Sequence, residues 1–161
     1  MTSLETPIGL LLVNLGTPDA PDTRSVRRYL AQFLSDPRVV DLPRILWLPI
    51  LHGVILNTRP KRSAKAYTSV WNHDIGEGPL KTFTRLQTEK LRLRSSSLSG
   101  KAPVIVDYAL RYGAPSIPDK INALMAQGCN RIVLLPLYPQ YAASTTASVA
   151  DDAFHALLRM R

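Results

Sequence analysis

In the segment Ala109-Leu110-Arg111-Tyr112-Gly113, expected as a loop, the pair Arg111-Tyr112 places a planar cation beside an aromatic ring. An arginine fork can grip a carboxylate through two parallel hydrogen bonds while the ring packs on a flat ligand; a salt-bridged arginine closing a strand fits the same residue types. Two other segments stand in the same relation to an apolar run: Asn14-Leu15-Gly16-Thr17-Pro18, and Leu137-Tyr138-Pro139-Gln140-Tyr141 with Ser144-Thr145-Thr146 after it. The hydroxyls of Ser144 to Thr146 also suit the cap of a following helix. No His, Cys or carboxylate cluster lies on these three segments. His52, His73 and His155 fall elsewhere and offer no Ser/His/Asp spacing. Gly16 does not open a G-x-G-x-x-G fingerprint and no P-loop motif occurs, which removes the main support for nucleotide binding. Cys129, the single cysteine, can form no internal disulfide and has no CxxC or His partner nearby. A reducing cytoplasm is therefore expected, and a metal site built by this chain alone is not.

The elements that carry these segments follow from hydrophobic periodicity. Ile8 to Asn14 is a continuous apolar run of the kind buried on both faces of a parallel sheet. Asp22 or Thr23 can cap a helix whose Val26, Tyr29, Leu30, Phe33 and Leu34 share a face and which stops at Asp36-Pro37. Pro43 suits the first turn of a helix through Leu42 to Leu56, with Pro49 kinking or dividing it; that stretch is either a core helix or an exposed apolar lip beside a greasy ligand. Further helices are expected at Pro60 to Trp71, with Ala64, Tyr67 and Trp71 on one stripe, and at Pro79 to about Arg94, with a loop over Ser95 to Gly100. Pro103 to Tyr108 and Arg131 to Pro136 read as strands around a helix, Pro118 to Gln127, that buries Ile121, Leu124 and Met125. A last helix over Thr145 to Arg159 places Val149, Ala153, Phe154, Leu157 and Leu158 on one stripe. The class expected is α/β, a doubly wound parallel sheet of at least three strands. In such sheets ligands bind beyond the carboxyl ends of the strands, where the three segments fall.

With 161 residues, 45% of them hydrophobic, the chain can bury the core of one domain. The formal charge of +8 favours an anionic partner: nucleic acid, an acidic membrane surface or a carboxylate-bearing substrate. Aromatic residues are too sparsely interleaved with the cations for base stacking, so nucleic acid is not expected. Clusters at Thr58 to Lys65 and Lys90 to Lys101 also fit solvated helix faces. Leu42 to Leu56 is too short, and too interrupted by Arg44, Pro49 and His52, to span a bilayer, which leaves contact with a membrane surface open.

The motifs LLVNLGTPD (Leu11 to Asp19), RRYLAQFLSDPRVVDLP (Arg27 to Pro43), RYG (Arg111 to Gly113) and LLPLYPQY followed by STT (Leu134 to Tyr141, Ser144 to Thr146) strongly resemble bacterial ferrochelatases, from about Ile8 to the end of the chain. The resemblance implies a chelatase-like fold of two similar doubly wound α/β domains gripping porphyrin between them. Residues 1–161 would be the amino-terminal domain, with the carboxyl-terminal domain missing. It further implies a lyase of heme biosynthesis that inserts ferrous iron, a substrate, into protoporphyrin IX to form protoheme.

By the same resemblance Leu15 faces the porphyrin, and Arg59, Arg111 and Tyr112 line the cleft, where arginine can meet propionates. Tyr67, Gln140, Tyr141, Ser144 and Thr145 are nearby cleft or support positions. Leu42 to Leu56 matches the lip of the cleft, which makes a cytoplasmic, membrane-peripheral location the expectation. Where some members carry a cysteine as an iron–sulfur ligand this sequence has Ala142-Ala143-Ser144, so neither a cluster nor another cofactor is expected. The metal-site histidine of a Ser-x-His motif and its partner glutamate belong to the second half. No catalytic or metal-binding residue is therefore expected in this chain, and no activity from it alone. Two rival readings are a small homodimeric chelatase and a non-catalytic porphyrin- or anion-binding α/β module.

Overall fold

The computed structural model describes residues 6–98 and 102–160. Three strands, β1 (Ile8–Gly16), β2 (Val104–Tyr112) and β3 (Arg131–Pro136), form a parallel sheet in the order β2-β1-β3. Ile8 stands opposite Val104 on one side and Arg131 on the other, so the first strand lies at the centre. Side chains of a strand alternate between faces, and β1 uses both. Leu11 and Val13 enter a core with Ala109, Ile117, Ile121, Leu124, Cys129, Val149 and Ala153, while Leu12 turns toward Leu91 on the opposite face. Helices α5 (Ile117–Ala126) and α6 (Ser148–Arg159) cover the first face; α4 (Pro79–Leu98) covers β2 and part of β1 on the second. The α/β class and parallel strands expected from the sequence are present.

Helix α1 (Thr23–Ser35) starts as its sequence demands: the Asp22 carboxylate accepts from the Arg24 and Ser25 amides at 2.8 and 2.9 Å. Pro43 caps α2 (Arg44–Ile50), and the chain passes through one wide π-type turn, Leu51–Ile55, directly into α3 (Leu56–Val70). Pro49 and Pro60 sit within this continuous run rather than dividing it. Carbonyls loosened by the wide turn are served by neighbouring side chains: Asn57 Nδ2 donates to the carbonyls of His52 and Gly53, and Thr58 Oγ1 to that of Val54.

Four expectations need correction. Residues Ala109 to Tyr112 belong to β2 rather than to a loop, because Leu110 and Tyr112 pair with Asn14 and Gly16 of β1. Ser95 to Leu98 continue α4, Ser95 Oγ donating back to the Arg92 carbonyl at 2.7 Å; Ser99 and Gly100 lie outside the described residues. Met125, expected in the core, is 45% exposed and lines a groove between α5 and α6. On α6 the buried stripe is Val149, Ala153 and Ala156, and the larger Phe154, Leu157 and Leu158 face outward, because the close α5–α6 packing admits only small side chains.

Besides the outward Phe154, Leu157 and Leu158 of α6, two further apolar surfaces stay uncovered among the described residues. In the Leu42 to Leu56 stretch Leu51 and Leu56 are buried, but Ile45 and Leu46 are 83% and 64% exposed and Leu42, Ile50 and Val54 also face outward. The stretch is therefore an exposed helical surface and not a core helix. On β3, Val133 and Leu135 are exposed, Leu135 beside Leu93 of α4.

Candidate functional site

At the carboxyl ends of β1 and β2 the backbones nearly touch. Gly16 has φ +116°, and a Cβ placed there would lie 1.8 Å from the Tyr112 carbonyl oxygen. Only glycine permits that approach. Gly113, with φ +92°, meets the Thr17 carbonyl in the same way, so the chain leaves β2 across the Gly16-Thr17 turn.

This crossing delivers Arg111 and Tyr112 to a buried polar cluster centred on Asp36, the residue that ends α1. Asp36 Oδ2 accepts from Arg111 Nη2 and from the Tyr112 hydroxyl, each at 2.7 Å, and from Ser148 Oγ. Oδ1 accepts from the Arg38 amide at 2.7 Å. Arg111 Nε donates to Ser148 Oγ and to the Ser148 carbonyl at 2.7 and 3.0 Å, and Nη1 lies 3.7 Å from Asp152. One carboxylate thus ties the end of α1, the end of β2 and the start of α6. Burial alone would raise the Asp36 pKa, but the bonds from Ser148, Tyr112 and the Arg38 amide, with the Arg111 charge, hold it below the usual carboxylate range. Burial pushes the Asp152 carboxyl up, and the Arg111 and His155 charges offset this only in part.

A ladder of rings runs from this cluster across α1 to α3. Tyr112 meets Phe33 edge-on at 5.2 Å, Phe33 stacks with Tyr29 at 6.1 Å, and Tyr29 meets Tyr67 edge-on at 6.3 Å. The Arg111 guanidinium lies 4.6 Å above the Tyr112 ring. Burial raises the phenol pKa of Tyr29, Tyr67 and Tyr112 above a value that already leaves them neutral at physiological pH. Beyond β3, Tyr138 is pushed up to about 12 by burial, and its hydroxyl has no hydrogen-bond partner among the described residues.

The expected site residues divide accordingly. Arg111, Tyr112 and Tyr67 share the ladder and its polar end. Tyr112, 1% exposed, presents no open ring face, and the Arg111 fork is engaged internally, which is the salt-bridged strand-end arrangement. Leu15 is half-buried beside Asn14, whose Oδ1 accepts its amide. Arg59 is exposed on α3 and lines a cavity of about 570 Å³ with Thr58, Arg62, Ser63 and Ala66. Gln140 and Tyr141 point to solvent. Ser144 is half-buried, and Thr145 caps the turn before α6, its Oγ1 accepting from the Ala142 amide at 3.0 Å.

Sequence reasoning missed Asp36, Ser148 and Asp152. Asp36 did carry a signal: an acid closing a helix opposes the helix dipole and needs a cation from elsewhere. Ser148 and Asp152 carried none. Among the described residues no group of three or more His, Cys, Asp or Glu side chains could hold a metal ion.

Helices on both faces of a parallel sheet, with the buried Asp36–Arg111–Tyr112 cluster at the strand ends, define a doubly wound α/β domain. The family model for ferrochelatase matches residues 7–161. Curated ferrochelatases from Allorhizobium ampelinum and Rhodopseudomonas palustris are each 55% identical over 154 residues, covering 96% of this chain and 44% of their own length. One from Brucella ovis is 53% identical over 161 residues, with 99% and 45% covered. The chain belongs to the ferrochelatase family, and it spans less than half the length of these curated relatives.

Proposed function

We propose that this chain supplies one half of the porphyrin cleft of an enzyme that inserts ferrous iron into protoporphyrin IX, forming protoheme in the last step of heme biosynthesis. The observation that carries this reading is a family match over nearly the whole chain that occupies only about 44% of its relatives. Porphyrin metallation needs a flat apolar slot, a base for the pyrrole protons and ligands that deliver iron. We take the half-buried Leu15 and the exposed lip as counterparts of the first, and the exposed Arg59 as the cation for a propionate. The proton-moving and iron-binding groups then come from the remainder of the relatives' length, and the fragment alone is inactive. The homodimeric alternative needs histidines at the strand ends, whereas His52, His73 and His155 lie on helices or in a turn and are exposed.

The lip suits peripheral contact with a membrane on the cytoplasmic side, while among the described residues no helix is long and apolar enough to cross one. No iron–sulfur cluster is proposed, since the lone Cys129 sits in the core. Absorbance detection of metalloporphyrin tests the central reading. This 161-residue polypeptide should give no turnover, and a version extended by a second domain of comparable length should. Turnover by the short chain refutes the missing-half argument; inactivity of the extended protein refutes the assignment.

A further inference from the structure

Strand β1 loses its β3 neighbour before it reaches Leu15: the register between the two ends at Val13 opposite Pro136, and the Leu137 amide closes it on the Val13 carbonyl at 2.7 Å. Alternate residues of a strand point their amides to the same side, so the Leu15 N–H faces the side that β3 has left. The Asn14 side chain serves it instead, Oδ1 accepting the Leu15 amide at 2.8 Å. At the other end of that side chain, Nδ2 donates to Thr84 Oγ1 of α4 at 3.0 Å. Thr84 is fully buried, and its hydroxyl donates its single hydrogen to the Leu80 carbonyl at 2.7 Å. Toward Asn14 it can therefore only accept, which fixes which end of the amide meets Leu15. Packing alone does not hold the amide, because a cavity of about 400 Å³ opens beside it, lined also by Leu80, Phe83, Leu137 and Tyr138.

We propose that Thr84 is a positioning residue for porphyrin binding: through the Asn14 amide it sets the backbone of Leu15, and so the apolar side chain that meets the macrocycle. The inference rests on the reading of Leu15 as porphyrin-facing and adds the residue that aims it. On the β2 side the same short segment is already held, since Gly16 pairs with Tyr112 and tolerates no Cβ against its carbonyl. The Thr84–Asn14 tie supplies the corresponding restraint from α4. Leu15 is thus fixed from both flanks by groups that need not touch the ligand. An anchor of this kind acts equally on bound substrate and transition state, so its loss raises KM and spares kcat. Thr88, one turn further along α4, is as deeply buried, but its hydroxyl turns back to the Thr84 carbonyl at 2.8 Å rather than out to the sheet.

Two measurements test the tie and its role separately. In the 161-residue chain, hydrogen–deuterium exchange read by NMR follows the Leu15 amide without porphyrin or iron. Thr84→Val, which keeps the shape and removes the hydroxyl, should speed that exchange about threefold to tenfold and leave the Leu11 amide unchanged. In the extended enzyme the same variant should raise the porphyrin KM about threefold to tenfold, with kcat and the KM for ferrous iron within about twofold of wild type. Thr84→Ser should restore both readouts. Should Thr84→Val fail to fold by circular dichroism, Thr84→Ala takes its place. Unchanged exchange at Leu15, or equal acceleration at Leu11, overturns the tie in favour of a role in general stability. Faster exchange with an unchanged porphyrin KM overturns the positioning role. No turnover by the extended wild type overturns the functional reading and this role with it, an outcome distinct from those of the variants.

Discussion

Asp36 and Arg111, 75 positions apart in sequence, are joined by a 2.7 Å ion pair in which the carboxylate side chain is only 4% exposed. Arg111 comes to this contact at the end of β2, next to the tight Gly16–Tyr112 crossing, and Asp36 closes α1. The pair therefore couples strand-end geometry to the α1 helix that carries the ring ladder. Removing one partner of a buried pair strands the other, so Asp36→Ala should destabilise the chain by about 3–5 kcal/mol in urea unfolding. A loss below about 1 kcal/mol would show that Arg111 finds other partners.

Asp36 and Asp152, the two carboxylates around Arg111, should respond oppositely to pH. The folded-state pKa of Asp36 lies below its unfolded value, so its stabilisation is present at neutral pH and disappears as pH falls below about 4, through the folded value. Asp152 is raised, so its ionisation lowers stability as pH climbs from the unfolded value through the folded one. Asp36→Asn should weaken the protein at pH 7 and approach wild type in acid. Asp152→Asn should equal or exceed wild-type stability at pH 7, with any gain vanishing below about pH 4. Urea titrations across this range read both, and a common sign for the two variants contradicts the assignment.

How much of this was legible in advance depended on the distance over which each feature is determined. Strand β1 as far as Asn14, a cap at Asp22 or Thr23 and the end of α1 at Asp36 were readable because local periodicity and capping chemistry fix them, whereas Leu15 and Gly16, expected in a loop, continue the strand. The β2 boundary was misplaced because Ala109 to Tyr112 are strand only by virtue of pairing with β1, an event remote in sequence. Arg111 and Tyr112 were singled out by residue type, and of the two readings the salt-bridged strand end is the one observed. Their partners Asp36 and Ser148 arrive from other elements, and no local pattern announces such a meeting. For Leu42 to Leu56, composition allowed both core and surface; only packing of Leu51 and Leu56 inward, with Ile45 and Leu46 outward, decided it.

Gly16→Ala should be far costlier than Gly53→Ala. The first places a methyl against the Tyr112 carbonyl at a positive φ, whereas a Cβ at Gly53 meets nothing within 4 Å. Thermal unfolding should show a loss of about 2–4 kcal/mol or failure to fold at Gly16, and no loss at Gly53, where the helical setting favours alanine by up to about 1 kcal/mol. Equal effects would mean that the strand ends separate easily.

Tyr138→Phe removes a hydroxyl that is buried without a partner. Unfolding free energy should be unchanged or rise by about 1 kcal/mol, since an unmet donor is relieved. A fall of that size would reveal a partner for the hydroxyl in solution.

Cys129 is 4% exposed, and burial raises its thiol pKa. Alkylation by iodoacetamide at mildly alkaline pH should be slow in the native chain and rapid in denaturant. Native reaction at the rate of a free thiol would place the residue outside the core.

The position of β1 at the centre of the sheet also sets a constraint on synthesis. It leaves the ribosome first, but both of its partners are made much later: β2 opens at Val104 and β3 at Arg131. At about 5–20 residues per second, translation leaves this apolar segment without its partner strands for several seconds or more. During that interval the run Ile8 to Val13 is a natural target for holding chaperones. Variants that slow the closure of β2 onto β1, such as substitutions at Gly16, should accordingly lower soluble yield in cells by more than their equilibrium stability accounts for.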